Sequence, residues 1–486
     1  MVNGHLDRRV LSEEGMTIIH NKALDILENV GLKVMYAGYY DALEAKGANV
    51  DRNTKIVKFP GKLVEETIEG IRKQLANGGK QFLLNGPTSP STPDDSISLK
   101  FAGASIEYYD PVLGKVREPE EQDLIRLIAL GESIPEVKYV GNPVCYLRDK
   151  NGDKIPSALQ RIKTAAVVAR YTTKYGSNEV WNKEELELLV ELGSIVRDGR
   201  DEFFENPCFV TAKETIAPLL FPEEDGGVLS MLAEKKLPCM IIPMPLSGAT
   251  APVTMGANIA MTAAEVLGVF TCIRAKHPEA MVSGGVISGV MDMRKGNASF
   301  AAPESILQDL GAANLFKERY GQDFAVGTGY IDALLPGAQS AVEILAKIQA
   351  AYSIGHCYYP VGLLLGGKRW SPIQAYIGLE MANYVHRCND IVRVDESDIP
   401  VDLISNVGIS GNYLSEDHTF ENFRQNIWLT DLMERTLTEL DADAMIENAQ
   451  QKWEEFLKKD IEPAVSDDKL KAIDAWEKKA IEILTR

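Results

Sequence analysis

One buried strand, one tight loop and one long helix follow each other without interruption between residues 237 and 273. Residues 239–244 form a short apolar run, which is typical of a strand buried on both faces. A Pro/Gly-rich turn follows, and Thr254 stands where it can cap an almost charge-free helix over residues 255–272. Together they form one β/α unit of a parallel sheet. The loop leaves the carboxyl end of the strand, where such folds place their chemistry.

The same alternation recurs eight times from about residue 137, and this repeat predicts the fold. The predicted strands are 138–145, 174–181, 207–212, 239–244, 280–285, 324–329, 357–363 and 390–394. The predicted helices between them are 158–170, 183–196, 226–235, 255–273, 304–319, 338–354 and 371–386, with 421–437 closing the set. Eight such units indicate an α/β fold, the closed (β/α)8 TIM barrel. An open doubly wound sheet is the alternative, but no GxGxxG loop follows any strand.

Two regions flank the predicted barrel. Residues 1–130 read as an N-terminal mixed helical region, with amphipathic helices at 16–30 and 63–75 and short strands between 96 and 109. The barrel itself is expected over residues 131–437. Residues 438–486 read as a charged helical tail, in which WEEFLKK shows acid-to-base pairing at helical spacing.

The composition indicates a soluble globular protein. The 486 residues are 45% hydrophobic, no apolar run reaches membrane-spanning length, and the start MVNGHLDRRV lacks the apolar core of a signal peptide. A net charge of −19 argues against nucleic acid as a partner and is compatible with cationic ligands. The six cysteines are scattered without a CxxC pair, so we expect reduced thiols in a cytoplasmic protein.

Residues able to hold a metal are poorly arranged in the sequence. The six histidines form no HxH, HxxxH or HExxH pattern, and no two cysteines have ligand spacing. A GxSxG nucleophile elbow is also missing. We therefore expect no tightly bound metal.

Six sequence motifs, spread over nearly the whole chain, carry a resemblance to one enzyme family. The most specific is PMPLSGATAPVT at 243–254. The others are LSEEGMTIIHNKALDILENVGLKV near the start, YYDPVLGKVREP at 108–119, DMRKGNASFAAPE at 292–304, GLLLGGKRW at 362–370 and HTFENFRQNIW at 418–428. In their order along the chain, these six motifs resemble those of the trimethylamine:corrinoid methyltransferases. The resemblance implies a (β/α)8 barrel and transfer of a methyl group to a corrinoid (cobalamin) that a separate protein carries.

Tyr330 and Asp332 are the polar side chains that we expect at the barrel mouth after the sixth predicted strand. Their segment, GTGYID at 327–332, resembles the region where trimethylamine-type members of the family carry pyrrolysine. This chain has only standard residues there, so the pyrrolysine mechanism is not carried over.

Further substrate contacts are expected around the seventh predicted strand. Aligning Gly366-Gly367 with the family places Tyr359 where many members have histidine. Alternation places Tyr359 and Cys357 on one face of the strand and His356 and Tyr358 on the other, and we expect Tyr359 to look into the barrel. The remaining predicted contacts are His356, Arg369 and Trp370.

The resemblance and the aromatic loops together predict demethylation of a small quaternary amine. Glycine betaine, proline betaine, carnitine and γ-butyrobetaine all fit, and the expected partner is a cognate corrinoid protein. Two alternatives stay open: a barrel lyase or hydrolase that uses Glu214, Lys213 or Asp332 as acid or base, and a non-catalytic betaine-binding protein. The apolar tracts would also permit a homo-oligomer.

Overall fold

A ring of short parallel strands lies at the centre of the computed structural model, which describes residues 8–83, 86–88, 97–209, 211–392, 394–435 and 444–485. Within these residues the strands of the ring are Ser98–Phe101, Val137–Val140, Ala212–Lys213, Cys239–Ile241, Val282–Val286, Phe324–Val326 and Tyr358–Pro360. The third position of the ring, between the second and third of these strands, is held by Tyr175, which forms a parallel bridge with Val140.

Backbone contacts connect the positions of the ring in chain order. The strands from Ala212–Lys213 to Phe324–Val326 pair in parallel with their sequence neighbours. Tyr358–Pro360 pairs with Ser98–Phe101, so that the last strand meets the first, and Ser98–Phe101 pairs with Val137–Val140. The backbone N–H of Phe209 donates to the Gly176 carbonyl at 2.9 Å, which joins the third position to the fourth.

The seventh and eighth positions of the ring are in direct contact just beyond their strands. A Cβ on Gly329 would lie 2.5 Å from the carbonyl oxygen of Pro360, so the two backbone segments are in contact at that point. The predicted TIM barrel is confirmed.

A helix follows each position of the ring. These helices are Glu121–Ser133, Ser157–Tyr171, Lys183–Val196, Glu223–Glu234, Met255–Lys276, Pro303–Tyr320, Ala338–Tyr352 and Pro372–Cys388. The seven helices predicted between the strands therefore match within a few residues at each end. Thr254 occupies the N-cap position of the helix Met255–Lys276, although its side chain makes no capping hydrogen bond.

The helix Met255–Lys276 is long and apolar enough to cross a membrane by length and composition. Every residue from 258 to 273 is nevertheless buried inside the protein. It packs against the helices Glu13–Asp25, Gly61–Ala76 and Pro303–Tyr320. The helix is apolar on all sides because it is surrounded by protein, as a core helix of a globular protein is.

The predicted eighth strand at 390–394 is wrong. Its described residues form no strand, and Ile391, Val392 and Val394 are 50%, 86% and 63% exposed. The remaining strand of the ring is Ser98–Phe101, which lies within the predicted N-terminal region of residues 1–130. The apolar–charged alternation of DIVRV imitates a strand, but the ring is already complete without it.

The predicted closing helix at 421–437 is also displaced. The structure has a helix at Asp417–Asn426 with no buried residue, and residues 427–435 are not helical. The eighth barrel helix is instead Pro372–Cys388.

Both flanking regions pack onto the barrel. The N-terminal helices Glu13–Asp25 and Gly61–Ala76 contact the helix Met255–Lys276, and a four-stranded sheet joins Leu32–Val34 to Leu220–Phe221 in parallel. In the C-terminal region, Ala444–Leu457 packs on the eighth barrel helix. Asp467–Leu484 packs on the second and third. The division at residues 130 and 437 stays a prediction.

The remaining elements are short. The helical turns and small helices are Ile26–Val30, Ala37–Tyr39, Tyr40–Ala45, Arg200–Glu205, Leu365–Gly367, Glu396–Asp398 and Val401–Val407. The strands outside the ring are Leu32–Val34, Asn49–Asp51, Ile56–Lys58, Gln81–Leu83, Gly86–Thr88, Glu107–Asp110, Lys115–Arg117, Leu220–Phe221, Leu246–Ser247, Gly289–Asp292, Asn297–Ser299, Leu363–Leu364 and Arg369–Trp370.

Two apolar clusters lie on opposite faces of the ring. Cys239 and Ile241 belong to the large core between strands and helices, whereas Met240 belongs to a second, smaller cluster. Since successive side chains of a strand point to opposite faces, this second cluster lies inside the ring. Its members are Met240, Ile242 and Ile287, with Ala212, Met244, Phe300, Ala325 and Tyr330 packed against them.

Candidate functional site

Glu214 lies at the barrel mouth, directly after the strand Ala212–Lys213. Ala212 belongs to the inner cluster, and by alternation the side chain of Glu214 faces the same way. The residue is exposed to solvent, but protein atoms surround its carboxyl group and partly desolvate it. This desolvation, with the negative charges of Glu179 and Asp225, raises the pKa of Glu214 to about 7, while Lys213 opposes the shift.

The neighbours of Glu214 form a charged cluster behind it. Lys213 Nζ lies 3.7 Å from Glu179 Oε2 and 3.5 Å from Asp225 Oδ1. Thr211 Oγ1 donates a hydrogen bond to Glu179 Oε1 at 3.2 Å. One ammonium group therefore stands among three carboxyl groups, and the mouth has an excess of acidic groups that favours a cationic ligand.

Tyr330 supplies an aromatic ring beside these carboxylates. Its ring centroid lies 6.4 Å from that of Phe300, with the planes tilted by 58°. Burial, followed by the negative charges of Glu214 and Glu179, holds the pKa of Tyr330 well above its usual range. The phenol is therefore neutral at physiological pH, and both rings keep the electron-rich faces that attract cations.

Gly367, in the GLLLGGKRW motif, makes room for Tyr330. A Cβ at this position would lie 2.6 Å from Cε1 of the tyrosine ring. The backbone of Gly367 also has φ of +87°, a conformation that L side chains rarely adopt. The third glycine of the motif is therefore explained by the ring that it accommodates.

The PMPLSGATAPVT motif forms the loop after Cys239–Ile241, which is the fifth position of the ring. Ser247 Oγ accepts hydrogen bonds from Asn258 Nδ2 at 2.9 Å and from Gln308 Nε2 at 2.8 Å. These donors lie on two different barrel helices, and Leu246–Ser247 also pairs with Gly289–Asp292 in the next loop. The motif thus ties the fifth and sixth loops into one fixed wall of the mouth.

Of the six predicted substrate contacts, Tyr330 lies at the mouth, whereas Asp332 and Arg369 hold loops together. The Asp332 carboxylate accepts hydrogen bonds from the backbone N–H of Phe300 at 2.6 Å, that of Ala301 at 3.3 Å and the hydroxyl of Ser299. Two guanidinium N–H groups of Arg369 donate to Glu107 Oε2 at 2.9 and 2.6 Å, and a third donates to the Leu334 carbonyl.

Tyr359 faces away from the lumen, so its expected orientation is wrong. The side chain is fully buried, and its hydroxyl donates to the His356 carbonyl at 2.9 Å and lies 3.2 Å from His386 Nε2 on the eighth helix. Tyr359 therefore points outward, and alternation turns Tyr358 and Pro360 inward.

His356 and Trp370 also lie away from the mouth. His356 precedes the strand Tyr358–Pro360 at its amino-terminal end, where burial lowers the pKa of the imidazole. Trp370 is fully buried in the outer core, with its ring centroid 5.0 Å from that of Phe101. Neither residue contacts the inner cluster.

Lys100, which the sequence analysis did not single out, faces the inside of the ring. Its neighbours Leu99 and Phe101 are fully buried in the outer core, and Phe101 packs towards Gly131 on the first barrel helix. Alternation turns Lys100 inward, beside its Cα partners Tyr139 and Pro360. The side chain has no hydrogen bond or ion pair with any described residue, and burial lowers its pKa to about 8.

Sequence reasoning named Glu214 and Lys213 only as possible acids or bases, and it missed Glu179, Phe300 and Lys100. A lysine between Leu99 and Phe101 in the strand SLKF was the available signal for Lys100. Across the part of the chain that the structure describes, no three His, Cys, Asp or Glu side chains come together as a metal site. The expected absence of a bound metal stays a prediction.

Comparison with known proteins identifies the family. A model of the family described as trimethylamine methyltransferase (MTTB) matches residues 1–483. The chain is 25% identical over 418 residues to the trimethylamine methyltransferase MttB of Desulfitobacterium hafniense, covering 85% of this chain and 81% of that one. It is 24% identical over 484 residues to a glycine betaine methyltransferase of the same species, covering 97% and 98%.

A solved structure is also similar in shape. The crystal structure of the Methanosarcina barkeri monomethylamine methyltransferase (MtmB) aligns with a TM-score of 0.46 and 12% identity, covering 91% of this chain and 94% of that one. The fold assignment rests on the strand ring itself, and the family rests on the match over residues 1–483. The chain belongs to the trimethylamine methyltransferase (MTTB) family.

Proposed function

We propose that this methyltransferase demethylates a small quaternary amine and passes the methyl group to the corrinoid of a separate protein. The observation that carries the proposal is the combination, at one barrel mouth, of the Glu214 and Glu179 carboxyl groups with the rings of Tyr330 and Phe300. Carboxylates and aromatic faces together recognise a quaternary ammonium group. The similarity to a glycine betaine methyltransferase over 97% of this chain supports the same substrate class.

The chemistry of a quaternary amine explains why the site needs no strong acid. The carbon–nitrogen bond breaks, and its electron pair stays on nitrogen, so a neutral tertiary amine leaves. The corrinoid supplies Co(I), whose electron pair forms the new bond to the methyl carbon. No proton moves at the nitrogen. The protein has to hold the cation and expose one methyl group in line with the approaching cobalt.

The side chains at the mouth suit this holding function. The rings of Tyr330 and Phe300 each contribute ~0.5–2 kcal/mol to binding, depending on how far the cation is desolvated. A bound cation also favours the ionised form of Glu214, whose pKa is raised to about 7 without ligand. Substrate binding and ionisation of Glu214 are therefore linked.

An apolar rim around the mouth supports docking of a partner protein. Seven of the eight loops that follow the ring positions expose large apolar side chains. These residues, which we call the rim, are Ile106, Val112, Leu113, Tyr146, Trp181, Ile216, Val253, Met255, Met293, Leu334 and Leu335. Exposed apolar surface around a cleft is typical of an interaction site. A corrinoid protein docked there would bring its cofactor directly over the inner cluster.

Two further properties belong to the proposal. We propose a reducing, cytoplasmic location, because all six cysteines are free thiols and three of them are buried. We also propose a homo-oligomer, because Val392, Ile409, Leu414 and Phe420 are between 73% and 103% exposed in one stretch after the eighth helix.

The test is methyl transfer measured directly. The protein is incubated under anoxia with Co(I) cobalamin and, separately, glycine betaine, proline betaine, carnitine, γ-butyrobetaine and trimethylamine. Methylation of the cobalamin is followed by absorbance and the demethylated amine by mass spectrometry. We expect one or more quaternary amines to react.

The alternatives give different results in the same assay. A lyase or hydrolase using Glu214, Lys213 or Asp332 would consume its substrate without cobalamin. A betaine-binding protein would bind without transferring methyl. Either result would refute the proposed function.

A further inference from the structure

Three polar side chains that face the inside of the ring have no partner among the residues that the structure describes. Ser98 and Lys100 share the inner face of the first strand, and Ser283 is the Cα partner of Met240, which belongs to the inner cluster. Ser98 and Ser283 are 8% and 1% exposed, and neither hydroxyl has a hydrogen bond to a described residue. An unsatisfied buried polar group is destabilising, so two such hydroxyls beside a half-buried ammonium group indicate that something else satisfies them.

Other buried or half-buried lysines of the barrel are satisfied by the protein itself. Lys174 donates to three backbone carbonyls, at 2.7, 2.8 and 3.1 Å. Lys347 donates to the Phe300 carbonyl at 2.6 Å. Lys213 lies within 3.7 Å of two carboxylates. Lys100 differs from these three, and an ammonium group of this kind is available to an anion from outside the protein.

The two kinds of polar group lie at different depths. Ser98, Lys100 and Ser283 lie within strands, whereas Glu214 and Tyr330 follow their strands at the mouth. The lumen is therefore cationic at depth and anionic and aromatic above. This polarity matches a zwitterion that enters carboxylate first and leaves its methylated nitrogen at the mouth, where a docked cobalt can reach it.

We propose that Lys100, assisted by the hydroxyls of Ser98 and Ser283, binds the carboxylate of the substrate, and that the substrate is consequently a betaine. The inference rests on the proposed function and narrows it. It excludes choline and tetramethylammonium as good substrates, because neither has an anionic group to satisfy Lys100. Lys100 positions the substrate and takes no part in the transfer itself.

The experiment combines a substrate series with a charge-removing variant. Binding of glycine betaine, γ-butyrobetaine, choline and tetramethylammonium is measured by calorimetry, and methyl transfer to cobalamin by absorbance. For the wild type we expect binding of at least one carboxylate-bearing ligand and much weaker binding of choline. For Lys100→Met we expect the affinity for that betaine to fall about 10- to 100-fold, with tetramethylammonium unchanged.

Two further variants control the interpretation. Lys295→Met removes a positive charge from an exposed turn between the strands Gly289–Asp292 and Asn297–Ser299, and we expect unchanged affinity. Lys100→Arg retains the charge and should retain part of the affinity, which also covers the case that Lys100→Met fails to fold. Equal loss in the Lys295 variant would assign the effect to general charge and overturn the inference.

The inference and the proposed function fail in different ways. If the wild type transfers methyl from choline as well as from betaines, or if Lys100→Met binds the betaine as the wild type does, this inference is wrong while the function stands. If borohydride reduction links a carbonyl compound covalently to Lys100, the lysine reacts as a nucleophile through a Schiff base. The inference is then also wrong. If no quaternary amine methylates cobalamin, the proposed function itself is wrong.

Discussion

The carboxylate of Asp332 accepts a hydrogen bond from the backbone N–H of Phe300 at 2.6 Å, and so fixes the position of the ring that faces Tyr330. Asp332 and Phe300 are 32 residues apart in sequence and come from the seventh and sixth loops of the barrel. The Asp332 backbone N–H donates in turn to Glu343 Oε2 at 2.8 Å on the seventh helix. The aromatic part of the mouth is thus held by a chain of polar contacts anchored outside it.

Asp332→Ala should therefore weaken substrate binding although the side chain touches no substrate. It removes hydrogen bonds to a carboxylate, which are worth roughly 1.5–3 kcal/mol each. We expect a lower Tm and a KM raised about tenfold, with a smaller effect on kcat. Asp292→Ala serves as the control, because among the described residues the Asp292 carboxylate accepts hydrogen bonds from the nearby Arg294 alone. A catalytic acid at Asp332 would instead lower kcat and leave KM unchanged.

Tyr330 should act through its ring rather than its hydroxyl. Tyr330→Ala removes a cation–π contact worth on the order of 1–2 kcal/mol, which corresponds to a KM raised roughly 5- to 30-fold. Tyr330→Phe keeps the ring and should change KM little. Steady-state kinetics with both variants separates the two roles, since a proton-transferring hydroxyl would make the phenylalanine variant about a hundredfold slower. Unchanged kinetics in the alanine variant would remove Tyr330 from the binding site.

Glu214 should make substrate binding depend on pH near neutrality. Its pKa is raised to about 7 in the free protein, and the bound cation favours the carboxylate. KM should therefore rise as the pH falls below about 7 and level off above it, and Glu214→Gln should flatten this profile. The free energy of unfolding depends on pH in the opposite direction. The raised pKa stabilises the folded state relative to the unfolded chain below about pH 4.5, and this contribution is lost as the pH rises towards 7. The pH profiles of KM and Tm test both statements.

Gly367→Ala should disturb the site more than its size suggests. The new methyl group would lie 2.6 Å from the Tyr330 ring, and the residue would keep a φ of +87°. We expect a lower Tm together with a KM raised several-fold. Gly408→Ala is the matched control, because Gly408 has a φ of +74° and a Cβ there would have no atom of the described residues within 4 Å. It should share the cost of the backbone conformation, about 1 kcal/mol, without affecting KM.

The rim should matter for the corrinoid protein and not for free cobalamin. Val253→Asp and Met293→Asp each place a charge on a side chain that is 68% exposed. We expect the rate with the cognate corrinoid protein to fall at least tenfold, while the rate with free cobalamin stays the same. Val30→Asp changes a side chain that is 57% exposed, outside both the rim and the proposed oligomer surface, and should affect neither rate. Equal loss with free cobalamin would place these residues in substrate binding instead.

Local patterns predicted the helices well, whereas pairing decided the strands. A helix such as Lys183–Val196 is specified by its own apolar spacing and by Asn182, whose side chain caps Glu185. The strand Ser98–Phe101 carries the same kind of pattern as DIVRV at 390–394, and only the former finds neighbours on both sides. The error at Tyr359 has the same origin, since a shift of one residue exchanges the two faces of a strand.

The residues of the site were predictable to different degrees. Tyr330 follows a strand in a motif, and its position could be inferred from the sequence. The function of Asp332 depends on Phe300 and that of Lys100 on the closing of the ring, and both require distant parts of the chain to meet. Loops that follow strands indicate where a site lies, but the partners of each polar side chain are set by the tertiary structure.

The pairing of the strands Ser98–Phe101 and Tyr358–Pro360 has a consequence for biosynthesis. About 250 residues separate the two, so at ~5–20 residues per second the ribosome needs on the order of 10–50 seconds to deliver the second strand after the first. Throughout that interval one edge of the first strand has no partner and can template pairing with another nascent chain. Lys100, on that strand, then carries its charge in water and works against such pairing, in the manner of a gatekeeper residue.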